Sequence, residues 1–281
     1  ARLSTSPVSA LELRERLTSQ QIKHLLDRLV SSGHLSPFEH ASFTFAIEGI
    51  SRATSHQLVR HRLASYTQQS QRYVSLKELH YVTPHTIAAH PEAKRSYDQA
   101  METAHRLYRE LMDTGIPAED ARYVLPNAVE TRLVMTMNAR ELMHASSLRL
   151  CLRAQWEIVE LFENIKIEVQ KAAPLIGEEL KPKCYHLGYC DEAESCGLIP
   201  TLGEMSPETI AKLSLSPKTG KTEPLNSPPF DKGCPDPVEA LRATPASLAD
   251  DLEAMAQQKG ATLDPAFVEK MRDRDQRSIS S

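Results

Sequence analysis

Apolar positions recur at helical spacing early in the chain. Ile22, Leu25, Leu26, Leu29 and Val30 share one face, Thr18 and Gln21 precede them at capping-box spacing, and Gly33 stands where such a helix would stop. The period then changes. Phe43, Phe45 and Ile47 alternate with Ser42, Thr44 and Ala46, which predicts a half-buried strand. Residues 51–62 return to a helical pattern that puts Gln57 and Arg60 on one face and turns His61 and Arg62 elsewhere. From Pro91 to about Thr114 a long amphipathic helix is predicted, with Tyr97, Met101, Ala104, Leu107, Tyr108 and Leu111 as its stripe and Gly115 as its stop. A short helix after Pro117 carries Arg122. Leu133 to Met137 is apolar enough for a buried strand. Asn138 suits the N-cap of a helix holding Arg140, Glu141, His144, Arg149 and Arg153, and a further helix spans about Gln155 to Ala172.

Past Pro174 the texture changes. Residues 200–237 hold eight of the 18 prolines, and Phe230 and Phe267 are the only aromatics beyond residue 200, so this part can build little core. Loops with short helices near 247–258 and 264–272 are expected there. The domain reading is therefore a core over 1–197 and an extension over 198–281.

Composition narrows the class. With 281 residues, 41% hydrophobic and 25% charged, the chain reads as a soluble globular protein with one good-sized core. It lacks a membrane-length apolar run and a signal-peptide pattern, and five cysteines do not suggest a disulfide scaffold. A cytoplasmic location is expected. The net charge of -4 argues against bulk binding to nucleic acid.

Against that acidic background, residues 49–77 carry Arg52, Arg60, Arg62, Arg72 and Lys77 and no acid, a local charge of +5. An unmatched cationic island implies an anion from outside the chain, and the guanidinium fork fits phosphate oxygens. Ser70 and Gln71 add donors beside Arg72. Asn138 and Arg149, eleven residues apart, lie on one helix face separated by roughly 16 Å. Arg149 sits in a mostly apolar stretch. Either it stabilises negative charge developing on a substrate, or it makes an ion pair with Glu141 or Glu157. Gly-x-Gly, His-Glu-x-x-His and Gly-x-Ser-x-Gly patterns are absent. Cys184, Cys190 and Cys196 are spaced by six, without the Cys-x-x-Cys knuckle of structural zinc sites, so no metal is expected and zinc on these thiols is the minor alternative. Cys151 reads as inert packing rather than as a nucleophile.

Five ordered blocks carry a resemblance. They are Gly33 to His40 with Phe43-Thr44-Phe45; Gln57 to Tyr66 with Gln69 to Tyr73, containing Arg60-His61-Arg62, seven residues and Ser70; Arg122 to Pro126; Asn138 to Leu142 with Leu148-Arg149; and Ala154 to Glu157. Together they resemble the flavin-dependent thymidylate synthases over residues 1 to about 197. The resemblance implies an α+β fold, an antiparallel sheet flanked by long helices (the thymidylate synthase-complementing fold), assembled as a homotetramer with active sites shared between subunits. It implies reductive methylation of dUMP to dTMP, with 5,10-methylenetetrahydrofolate as carbon donor, FAD as cofactor and NADPH as reductant, and no enzyme nucleophile.

By the same resemblance, Gln57, Arg60, Gln68, Gln69, Ser70, Gln71, Arg72, Arg122 and Arg149 would contact dUMP. His34, Ser36, Arg60, His61, Arg62, Gln68, Asn138, Arg140 and His144 would contact FAD. Arg149 would be the catalytic residue, favouring ionisation of the uracil ring. Some relatives carry Glu at the position of Gln68, which excludes a general-base role here, and His at the position of Arg153. The chain begins Ala1-Arg2-Leu3-Ser4, resembling the end of the family's first strand with Ser in place of Cys, which implies that this strand is missing. Two other classes compete: a nucleic-acid-binding module using the 49–77 island, and a zinc-organised interaction protein built on the cysteines.

Overall fold

The computed structural model of the chain describes residues 2–214. In chain order the elements are α1 (Ala10–Arg16), α2 (Ser19–Ser31), β1 (Ser42–Ser51), α3 (Arg52–Leu58), β2 (Ala64–Gln68), α4 (His85–Ala88), α5 (Pro91–Asp113), α6 (Ala118–Ala121), β3 (Glu130–Asn138), α7 (Ala139–Arg149), α8 (Trp156–Ala172), α9 (Pro174–Gly177), α10 (Lys183–Leu187) and α11 (Pro207–Ser214). This is an α+β fold, as expected. The short helices expected near 247–258 and 264–272 lie outside the described residues.

Local signals were followed closely at several ends. Thr18 and Gln21 form a reciprocal capping box on α2. Gly33 leaves that helix at φ 69°, a conformation that glycine adopts without steric cost. Asn138 caps α7 by accepting from the Glu141 N–H at 2.9 Å.

The sheet is three-stranded and antiparallel, in the order β1-β3-β2. Leu133, Met135 and Met137 of β3 point into the core with Ile47, while Arg132 and Val134 face outward. The 133–137 segment is therefore half-buried, not fully buried as its composition suggested. Helices α3, α7 and α8 contact the sheet, and Leu58, Leu142, Ile158 and Phe162 close the core. The register slips between Ile47 and Ile50, where Gly49 takes φ 73°. This bulge turns the strand directly into α3.

The β1–α3 junction is tied to α8 by one buried carboxylate. Glu157 accepts from the Ser51 N–H at 2.5 Å, the Ser51 hydroxyl at 2.6 Å and the Thr54 hydroxyl at 2.7 Å. The Ser51 hydroxyl also receives the Thr54 N–H at 3.0 Å, capping α3.

Candidate active site

Helix α3 stops at Leu58, four residues short of the predicted end. The reason lies downstream. The Tyr66 hydroxyl of β2 donates to the Leu58 carbonyl at 2.9 Å and lies 3.0 Å from the His61 carbonyl, so it holds the backbone in a turn. Arg60, His61 and Arg62 ride on that turn. His61 is buried, whereas Arg60 and Arg62 are exposed and make no ion pair among the described residues. The triplet is divided, but not as helical phasing had it: a turn buries His61 and leaves Arg60 and Arg62 together on the outside, where phasing had set Arg60 apart from His61 and Arg62.

Buried His61 meets α7. Arg149 Nε donates to His61 Nε2 at 2.9 Å. Neither ion pair foreseen for Arg149 forms, because Glu157 is committed to Ser51 and Thr54, and Glu141 lies instead 4.0 Å from His61 Nδ1. Among the described residues the Arg149 guanidinium has no carboxylate partner. Burial holds it below its ordinary pKa, yet a guanidinium stays charged. His61 is lowered from 6.5 to about 4, first by burial, then by Arg149 and His144. It is therefore neutral near pH 7, its Nε2 free to accept, and its contact with Glu141 is no ion pair.

A pH dependence of stability follows. In the unfolded chain His61 takes up a proton below 6.5, while the folded protein resists until about 4. Stability therefore falls as pH drops through that window, by about 2 kcal/mol once solvent screening is allowed for. His61→Gln keeps an acceptor for Arg149 and should flatten the profile. Urea midpoints of both proteins across the window check this; parallel profiles would refute it.

A second group gathers cations. Arg72 pairs with Glu119 on α6 at 2.8 Å, and Arg122 Nε donates to the Glu119 carbonyl at 3.0 Å. The island is thus partly matched, by an acid 47 positions beyond Arg72. That pair is half exposed and contributes only about 0–1 kcal/mol, so an incoming anion can displace it. Half-buried Arg52 is held below its ordinary pKa by burial and by the facing charge of Arg122. With no carboxylate on either guanidinium among the described residues, an anion arriving between Arg52 and Arg122 would relieve that repulsion. Sequence reading counted Arg52 as charge only; its place directly after the bulge was the missed signal.

The remaining candidates are dispersed. The Gln68 amide nitrogen is 3.0 Å from both the Ser55 and Thr131 hydroxyls, which leaves chiefly its oxygen for a ligand. Gln57, Gln69 and Gln71 are half-buried around the same loops, and the Ser70 hydroxyl accepts the Arg72 N–H at 3.2 Å. Ser36 opens the short turn Ser36–His40 that packs on α7, where Arg140 pairs with Glu39 at the N-terminal end; His34 lies in the loop before that turn, and exposed His144 sits midway along the helix. That end is roughly 15 Å from Arg149. Arg153 falls beyond the helix that was to hold it and pairs with Glu194. Among the described residues no three His, Cys, Asp or Glu side chains stand in position to hold a metal.

Comparison with known proteins fits this geometry. The family described as Thymidylate synthase complementing protein matches residues 1–175. A flavin-dependent thymidylate synthase of Geobacter sulfurreducens is 50% identical over 200 residues, covering 70% of this chain and 86% of that protein. One of Clostridium tetani is 44% identical over 214 residues, again covering 70% and 86%. A solved UMP/dUMP methylase of Streptomyces cacaoi, bound with 5-Br dUMP, superposes with TM-score 0.57 at 31% identity, covering 63% of this chain and 86% of that one. This chain belongs to the flavin-dependent thymidylate synthases.

Proposed function

We propose that the chain methylates dUMP to dTMP with FAD as its flavin, 5,10-methylenetetrahydrofolate as carbon donor and NADPH as reductant. One observation carries this reading: a half-buried Arg149 with no carboxylate partner among the described residues, fixed through Nε by a neutral histidine. The fork is thereby oriented and its outer N–H groups stay available to a pyrimidine. They would stabilise negative charge developing at the uracil N3 edge, preorganised before the substrate arrives. Arg72, Arg122 and Arg52 would take the dUMP phosphate, with Ser70 and Gln71 beside it and Gln57, Gln68 and Gln69 lining the approach.

The donor set also suits FAD. Exposed Arg60 and Arg62, without an ion pair among the described residues, are cations matched to a diphosphate. Asn138 and Arg140 at the N-terminal end of α7, His144 midway along it, and His34 and Ser36 in and before the turn that packs on it would complete the flavin set. When bound, the flavin would supply the reducing hydride; the chain supplies position, charge and exclusion of water.

Sharing of the site between subunits of a homotetramer is part of the proposal. Leu63, Tyr73 and Tyr123 are 74%, 79% and 83% exposed, and each directly follows a site arginine. Large apolar side chains left bare beside charges are what a second subunit would cover. The catalytic unit would extend to residue 197. A cytoplasmic location suits the four described cysteines, all free thiols. No helix among the described residues is long and apolar enough to cross a membrane.

The purified full chain should be yellow, release FAD on denaturation, and form dTMP only when dUMP, methylenetetrahydrofolate and NADPH are all present. Running UMP beside dUMP reads the sugar preference. Colourless protein that cannot take up FAD would overturn the assignment. Arg72→Ala should weaken dUMP about 10-fold or more, the loss of a charge-assisted hydrogen bond. Flavin binding should hold. Unchanged dUMP affinity would contradict the phosphate role.

A further inference from the structure

Helix α7 carries one buried acid to which the methylation chemistry gives no task. Glu141 lies in the first turn of α7, its N–H taken by the Asn138 cap. Among the described residues no lysine or arginine pairs with its side chain. Neighbouring Arg140 turns out to Glu39 instead. The one group at ion-pair distance is the His61 ring, with Glu141 Oε1 4.0 Å from Nδ1. A carboxylate held in so dry a place without a cation is costly unless something there needs its charge.

The proton on His61 needs it. The Arg149 Nε–H can only donate, so His61 Nε2, 2.9 Å away, must accept. A ring that accepts at Nε2 is neutral and carries its single proton on Nδ1. That N–H is the one on the Glu141 side. The order is therefore carboxylate, Nδ1–H, Nε2, Nε–H, guanidinium, with each proton set toward an acceptor or a negative charge. The first link is longer than a hydrogen bond and acts through charge. The side chains of His61 and Glu141 are only 5% and 10% exposed, so solvent screens that charge little. The ring has small freedom to evade it. The Tyr66 hydroxyl lies 3.0 Å from the His61 carbonyl, and the Phe162 ring packs on the imidazole at 6.1 Å between centroids.

Helix geometry explains the interposed ring. Glu141 and Arg149 are eight residues apart, roughly 12 Å along the α7 axis and beyond i,i+4 pairing. The imidazole spans part of that interval and passes the orientation of one to the other. Direct pairing would have consumed the guanidinium. A neutral ring orients it through Nε and leaves its outer N–H groups available.

We propose that Glu141 is a positioning residue of the methylation site: it holds His61 in the Nδ1–H tautomer, and His61 in turn fixes the plane of the Arg149 guanidinium for the pyrimidine. This rests on the assignment of Arg149 to the uracil edge. Glu141 acts through His61 and not by contact with the pyrimidine.

The test compares unmodified full-length protein with Glu141→Gln and Glu141→Asp. Glutamine keeps the size but can turn its amide N–H to Nδ1, which moves the ring proton to Nε2 and sets two donors face to face at Arg149. NMR of [15N]histidine-labelled protein without dUMP, near pH 7, should show His61 protonated at Nδ1 and bare at Nε2. The signal is identified by its loss in His61→Gln. Glu141→Gln should reverse that pattern or mix the two tautomers. Its kcat at saturating dUMP should fall about 10- to 100-fold while flavin content holds. Glu141→Asp keeps the charge, one methylene farther away, and should retain the tautomer and recover much of the rate. Added to Arg149→Ala, Glu141→Gln should cost less than about twofold more, because the group it positions is gone. A proton on Nε2 in the unmodified protein, or an unchanged pattern in Glu141→Gln, overturns the proposal. So does a rate loss that adds in full to that of Arg149→Ala. Should Glu141→Gln fold poorly, Glu141→Asp decides: moving the charge should shift the Nδ1 resonance, and an unmoved resonance overturns the proposal. A tautomer that responds as stated while Arg149→Ala leaves the rate intact would instead sink the role of Arg149 in the reaction and keep the link from Glu141 to His61.

Discussion

Arg149→Ala should lower dTMP formation by about 100- to 1,000-fold while FAD stays bound, the usual cost of removing one preorganised donor from developing charge. The asymmetry comes from where Arg149 sits. Its Nε is held by neutral His61 at 2.9 Å, and among the described residues no carboxylate draws the rest of the fork away. Of the flavin candidates, Arg140 lies at the opposite end of α7 with the Ser36–His40 turn packed on that helix, roughly 15 Å along the axis. Truncation at one end leaves the other standing. Lysine should rescue little, since its ammonium cannot satisfy His61 and reach a pyrimidine edge in the same plane. The measurements are kcat at saturating dUMP and the flavin absorbance of the purified variant. Loss of flavin together with rate would mean that Arg149 serves the cofactor. A rate within threefold of the unmodified protein would remove it from the chemistry.

What could be read beforehand divides by how local its cause is. The capping box of Thr18 and Gln21, the Asn138 cap and the Gly33 stop each depend on a few neighbouring residues, and all three form as expected. The end of α3 does not, because its determinant is the Tyr66 hydroxyl eight residues beyond Leu58. Arg72 seemed unmatched since its acid comes from α6, after the long α5 has intervened. Arg149 seemed ready to pair with Glu141 or Glu157 because both were near in sequence. Tertiary packing instead gave Glu157 to Ser51 and Thr54 and put His61 against Arg149. The 133–137 segment misled in another way: apolar composition cannot tell a strand covered on both faces from one covered on one. Family likeness identified the arginines; only the fold separated His61, facing inward, from Arg60 and Arg62, facing outward.

Glu157→Ala should be the most destabilising single change near the site, by about 3–5 kcal/mol, the summed cost of the buried neutral donors it leaves without their acceptor. The deletion leaves the Ser51 N–H and the Ser51 hydroxyl without an acceptor where water does not reach, since Ser51 is 2% exposed, and leaves the Thr54 hydroxyl only a longer bond to Gln155 at 3.4 Å. Glutamine does not repair this. It keeps one acceptor oxygen, but its amide nitrogen can only donate to the Ser51 and Thr54 hydroxyls, whose own protons then lose the acceptor they had, so it should recover only part of the loss. The position also favours a carboxylate, because Glu157 lies in the first turn of α8, where the helix dipole is positive. Damage should spread to function before global unfolding. Ser51 caps α3, and α3 leads into the turn that seats His61 beneath Arg149. Once that cap loosens, dUMP turnover should fall in samples that still show full helix content. Thermal denaturation at one fixed protein concentration should register a drop on the order of 10 °C. A shift below about 2 °C would mean that the junction relaxes and finds other partners, and that Glu157 does not fasten the site to the core.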